Sequence, residues 1–200
     1  MRWDDLFDDL EGQLEQGRSM EEGDLLAEEE RLRLGRLTLR DRMAAIASFP
    51  PGVEDGVVRV VLHTGSIVSV RPRTFGRDWL AGDVVDDSRS PAQCILPVTG
   101  LASLLLTRRQ VRQSLTPPAS IASGRGITDR LSLAFVLRDL CRRRASLELS
   151  LPGATLHGTL DLVGRDHCDL ALHECGTPRR ESEVSSYRIV PITQIVFVRL

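Results

Sequence analysis

The sequence predicts an α+β chain: an acidic N-terminal helical arm, then two tandem small β-barrels, each led by a helix and built from five strands. Three observations predict it. Charge is segregated, with 12 acids and 2 arginines in residues 1–30 (net −10) against 16 acids and 24 arginines in residues 31–200 (net +8). Two markers recur along the chain. Gly76-Arg77-Asp78 returns as Gly164-Arg165-Asp166, and Ile95-Leu96-Pro97-Val98-Thr99 returns as Ile189-Val190-Pro191-Ile192-Thr193, at separations of 88 and 94 residues. Such self-similarity marks a duplicated unit. Finally, apolar residues alternate at period 2 between closely spaced turn signals, the pattern of short antiparallel strands.

The arm comes first, over residues 1–35. Trp3, Leu6, Phe7, Leu10 and Leu14 recur at helical spacing among carboxylates, which predicts a short amphipathic helix ended by Gly17. A second helix is expected over about 20–34, and Leu25, Leu32, Leu39 and Ile46 fall seven apart like a coiled-coil seam. Short helices are marginal alone, so the arm is expected either to pack on its own body or to bind a partner. Barrel unit one spans 36–107 and unit two 128–200. Helices are expected over about 39–48 and 129–143, opened by Thr38 and Thr128. In unit two, Leu147, Leu149 and Leu151, then Leu156, Gly158, Leu160 and Leu162, then Cys168, Leu170 and Leu172 face one side. Pro152-Gly153 and Gly164-Arg165-Asp166 turn between them. In unit one Val58, Val60, Leu62, Val68 and Val70 do the same, followed by strands over 79–85 and 94–106. Pro97 and Pro191 each suit an edge position or a kink between the last two strands.

A helix followed by five short, bent strands resembles the Sm-like family of bacterial Hfq and eukaryotic Sm proteins, within the broader group of SH3-like small barrels. Leu149, Gly153, Gly158, Leu160, Asp166, Leu170 and the closing run from Ile189 to Val198 carry the resemblance, over about 38–106 and 128–200. It implies barrels that associate through strand edges. The family's RNA pocket does not carry over. Its Asp and Asn after the second strand are replaced by Gly164-Arg165-Asp166, and its Arg-Gly or Lys-His between the last two strands by Pro191-Ile192. The whole chain also resembles actinobacterial proteins that open with a similar Met-Arg-Trp-acidic-acidic-Leu-Phe stretch.

Between the units, residues 108–127 read as a basic linker rich in Pro, Gly and Ser. Arg108, Arg109, Arg112, Arg125, Arg142, Arg143 and Arg144 are the candidate phosphate-binding residues of this connector and of the helix that follows it. The same arginines are also suited to docking the acidic arm. All 26 basic residues are arginine, whose fork grips phosphate and carboxylate bidentately. Aromatics at 4% leave little for base stacking. The candidate metal ligands are His167, His173 and Cys175, which share strand parity, with His157 on a neighbouring strand and Cys168 facing inward. No phosphate loop, dinucleotide fingerprint, nucleophile elbow or zinc-protease motif is present. The expectation is a cytoplasmic, non-enzymatic protein-interaction or assembly module with no cofactor. It would engage a protein partner or itself, with nucleic-acid binding as the alternative and with no membrane or small-molecule substrate. The four cysteines form no framework spacing and read as free thiols.

Overall fold

The computed structural model describes residues 22–50, 54–85, 92–116, 126–175 and 179–200. The chain divides between Leu39 and Arg40 into two compact units. Described by itself, the first holds α1 (22–35), whose exposed face carries the ion pairs Glu28–Arg31 and Glu30–Arg33, each one helical turn apart. The arm residues Trp3, Leu6, Phe7, Leu10 and Leu14 lie outside the described residues. Because α1 ends at 35 and α2 begins at Leu39, the seven-residue spacing from Leu25 to Ile46 does not run along one helix.

The second unit is built on one sheet. Its strands are β1 (Val58–Leu62), β2 (Ile67–Phe75), β3 (Trp79–Val84), β4 (Ala92–Pro97), β5 (Leu101–Leu105), β6 (Ser146–Leu151), β7 (Ala154–Val163), β8 (His167–Leu172), β9 (Ser186–Pro191) and β10 (Phe197–Arg199). They form a single open antiparallel sheet of ten strands in the order β5-β1-β2-β3-β4-β10-β6-β7-β8-β9. This corrects the expectation of two separate Sm-like or SH3-like barrels: neither half closes on itself. The reason lies at the outer edge of β4. Pro97 and Pro191 each end a strand and open a 3-10 turn, Val98–Gly100 and Ile192–Gln194. The chain leaving each turn crosses to the far side of its half, so β5 pairs with β1 and β10 with β6. The outer edge of β4 is then taken by β10, with Ile95 opposite Val198 and Cys94 opposite Arg199. The fold is α+β, with one large sheet and its helices.

The two halves nonetheless run through the same pairings. Each long second strand is bent by an irregularity at the matching place, between Pro72 and Thr74 and between Leu160 and Leu162. Each Gly-Arg-Asp turn uses its glycine alike. A Cβ on Gly76 would strike the Trp79 indole, and one on Gly164 the His167 imidazole, so a ring folds over each glycine.

Four helices are described. α2 (Leu39–Ala47) buries Met43 and Ile46 against β1, β2 and β3. α3 (Arg108–Leu115) occupies the start of the stretch read as a linker. It begins with a capping box, in which the Gln110 backbone N–H donates to Thr107 Oγ1 and the Thr107 N–H to Gln110 Oε1. The Gln110 amide also donates to the carbonyls of Asp55 and Val57, tying α3 to the first half. α4 (Leu133–Arg142) buries Leu133, Leu137 and Leu140, at the i, i+4, i+7 spacing of one helical face. It starts later than the sequence suggests, because residues 127–130 form a 3-10 turn first.

Two cores result, and each borrows from the other half. The core around α2 includes Val196 and Phe197, while the core around α4 includes Trp79 and Ile95. Fully burying a side chain of this size contributes about 1.5–3 kcal/mol, so these four residues bind the halves into one body.

Candidate interaction site

The joint between the halves shows what this sheet does with a strand edge. Beside the β4–β10 pairing, the Gly-Arg-Asp turn of the first half receives the entry to α4. Asp78 Oδ1 accepts the Leu133 backbone N–H at 2.8 Å. Ser132 holds the N-cap position, but its side chain makes no capping bond, so the cap comes from across the joint. The Arg77 backbone N–H and Trp79 Nε1–H both donate to the Leu131 carbonyl, at 2.9 and 3.0 Å. Arg40 reaches from α2 to the Gly76 carbonyl and the Asp129 carboxylate.

Among the described residues the matching edge of the second half has no such cover. β9 pairs with β8 on one side only, with Ile189 opposite Asp169 and Tyr187 opposite Ala171. Ile189 is 73% exposed and Tyr187 58%, whereas Ile95, the counterpart of Ile189, is 3% exposed. A large apolar pair on an unpaired edge is a template for strand addition. At the opposite end of the sheet β5 is likewise unpaired on its outer side among the described residues. An open groove of about 730 Å3 borders it, lined by Leu104, Leu105, Leu106, Arg59, Val85 and Gln110, among others. Sequence reasoning found the strands but not these edges, since alternation reads the same at the rim and at the centre of a sheet.

The arginines are dispersed. Arg108, Arg109 and Arg112 are exposed on α3, in the first half. Arg109 pairs with Asp55 at 2.8 Å and lies over the Phe49 ring. Arg142 and Arg143, at the end of α4, both pair with Asp139. Arg144 follows in the left-handed region at φ 50°. Arg125 lies outside the described residues.

The metal candidates are separated. His167 opens β8 and bonds through Nδ1 to Asp166 at 2.8 Å. His173 lies just beyond the other end of β8, roughly 20 Å away at the rise of an extended strand. It is buried, with Nε2 2.9 Å from Thr159 Oγ1 and Nδ1 3.0 Å from the Glu174 carbonyl oxygen. Nδ1–H donates to that carbonyl, and Nε2 shares a hydrogen bond with the Thr159 hydroxyl. Cys175 is exposed. Among the described residues no group of three or more His, Cys, Asp or Glu side chains is placed to hold a metal ion. Burial pushes the Cys94 thiol up to about 12 and the Cys168 thiol up to about 11, so both stay protonated at neutral pH.

No family model, curated protein or solved structure matches the chain. The resemblances to Sm-like and to actinobacterial proteins therefore gain no support, and the open sheet overturns the first. No helix among the described residues is long and apolar enough to cross a membrane.

Proposed function

We propose that the chain is a non-enzymatic protein-interaction module that takes an added strand along the outer edge of β9. The observation that carries this reading is the exposure of Ile189, at 73%, beside backbone groups of the same strand that are unpaired among the described residues. Strand addition supplies affinity through backbone hydrogen bonds and selectivity through alternate side chains. The protonated state of Cys94 and Cys168, and the use of both His173 nitrogens in internal bonds, support a binding role over a catalytic one. The free thiols suit a reducing cytoplasm.

The test is a display library of extended ten-residue peptides panned against the full chain. Enriched peptides are expected to bind by fluorescence anisotropy and to lose at least tenfold in affinity for Ile189→Lys. Failure to enrich any peptide, or equal binding to the variant, would overturn the reading.

A second reading, phosphate contact with nucleic acid, rests on Arg108 and Arg112, four residues apart on α3 and both exposed. It expects a mobility shift on RNA or DNA that weakens steeply with salt and is lost in Arg108→Glu/Arg112→Glu. A salt-independent shift, or none, sinks it.

A further inference from the structure

The joint inside the molecule specifies a partner for its open edge. Shifting the first half by 94 residues superposes the last two buried positions of the two helices. Met43 matches Leu137 and Ile46 matches Leu140, all four buried. The same shift carries Arg42 onto Val136. Within the third strand of each half, the 88-residue shift carries Ala81 onto Asp169. Inside the molecule Ala81 and Val136 line one cleft with Leu140 and Ile95, and both pack against the same core across the joint. At the open edge Asp169 stands where Ala81 does. Its Oδ1 is buried and has no hydrogen-bond partner among the described residues. Arg42 stands where Val136 does, and bonds Ser114 Oγ through Nε and one terminal nitrogen. An apolar pair at the inner joint thus corresponds to a carboxylate and a guanidinium on two ends of the sheet that do not meet in one chain.

Resting on the strand-addition reading above, we propose that β9 of one copy pairs with β5 of a second copy of this chain. The junction between molecules repeats the β4–β10 joint within each, with Asp169 of the first copy facing Arg42 of the second. The register follows from the inner joint. Ile95 lies opposite Val198 and Cys94 opposite Arg199, so Ile189 falls opposite Leu104 and Arg188 opposite Leu105. The Leu200 N–H donates to the Gln93 carbonyl, which makes Cys94–Arg199 a non-hydrogen-bonded pair. Its counterpart, Arg188 opposite Leu105, brings side chains close. Ile189 would then lie along the groove beside Leu104, covering apolar surface at both ends. Because the two surfaces differ, the contact is heterologous and generates rings or longer chains of copies. An unpaired carboxylate buried at such a contact is costly, and a facing guanidinium offsets part of that cost.

Two experiments on the full chain test this. Sedimentation is expected to show masses above one chain that rise with concentration for the wild type, and a single chain for Arg42→Asp and for Asp169→Arg. Mixing the two variants places opposite charges at both kinds of junction, so masses above one chain are expected to return. A wild type that stays monomeric, or variants whose mixture does not associate, would overturn the proposal. In a Cys175→Ser background, mild oxidation is expected to link Arg188→Cys to Leu105→Cys on separate chains but not Tyr187→Cys to Leu105→Cys, whose side chains fall on opposite faces. Equal linkage of both pairs, or of neither, overturns the register and with it the proposal. Peptide binding that depends on Ile189 in a monomeric protein would sink only the self-pairing. Loss of both would sink the strand-addition reading as well.

Discussion

At the residue scale, Arg144 is under local strain. The Ala145 N–H donates to the Leu140 carbonyl and the Arg144 N–H to the Cys141 carbonyl, a paired pattern that closes α4. It places residue 144 in the left-handed region, at φ 50°. Glycine takes that conformation freely, whereas a side chain pays for it with its Cβ against the backbone. Arg144→Gly is expected to raise stability by about 0.5–1 kcal/mol, read as a higher midpoint in urea. The thiols give a second expectation. Burial raises Cys94 to about 12 and Cys168 to about 11 from an ordinary 9.0. Between those values the folded chain holds protons that the unfolded chain has released. These two groups therefore contribute stability that is complete below about pH 9 and lost as pH rises toward 11–12. The urea midpoint should fall over that range, and less so in Cys94→Ala/Cys168→Ala. Native labelling with a thiol reagent should modify exposed Cys175 first, with Cys94 and Cys168 reacting only on unfolding.

At the scale of elements, the two Gly-Arg-Asp turns share a shape but not a duty. Asp78 caps α4 across the joint, while Asp166 is exposed and bonds His167 beside it. Asp78→Ala is expected to cost about 1 kcal/mol, the usual worth of an N-cap, whereas Asp166→Ala should leave the thermal midpoint unchanged. Equal effects from the two would mean that the cap contributes nothing. This division was not legible in the sequence, where both turns read alike. What was legible came from local periodicity: the alternation of Leu147, Leu149 and Leu151 gave β6, and Pro152-Gly153 gave the turn into β7. α3 was hidden because Arg108, Arg109 and Arg112 dominate its composition. Its order comes from Thr107 and from the bonds of Gln110 to Asp55 and Val57, more than 50 residues away. The candidate site was half legible. Ile189 was read on a strand in a run echoing Ile95, but nothing local says that one copy is covered and the other bare.

At the scale of the whole molecule, the β4–β10 pairing decides whether the halves are two bodies or one. Residues 95 and 198 are too distant in sequence for any local pattern to announce their contact. With each core holding residues of the other half, the unit from Arg40 to Leu200 should unfold in one transition. In a Trp3→Phe variant, fluorescence reports Trp79 alone, a first-half residue in the second-half core. Its urea curve should coincide with that of far-ultraviolet circular dichroism, and two separated transitions would contradict the interlocked cores. The position of β10 has a consequence for how the chain is made. Synthesis proceeds from the N-terminus, yet the strand at the middle of the sheet is the last of the ten to emerge from the ribosome. Until it arrives, the rims of β4 and β6 stand bare, and Ile95 lacks its partner Val198. The nascent chain therefore passes through a long window in which a neighbouring polysome's product can occupy the seat meant for its own final strand.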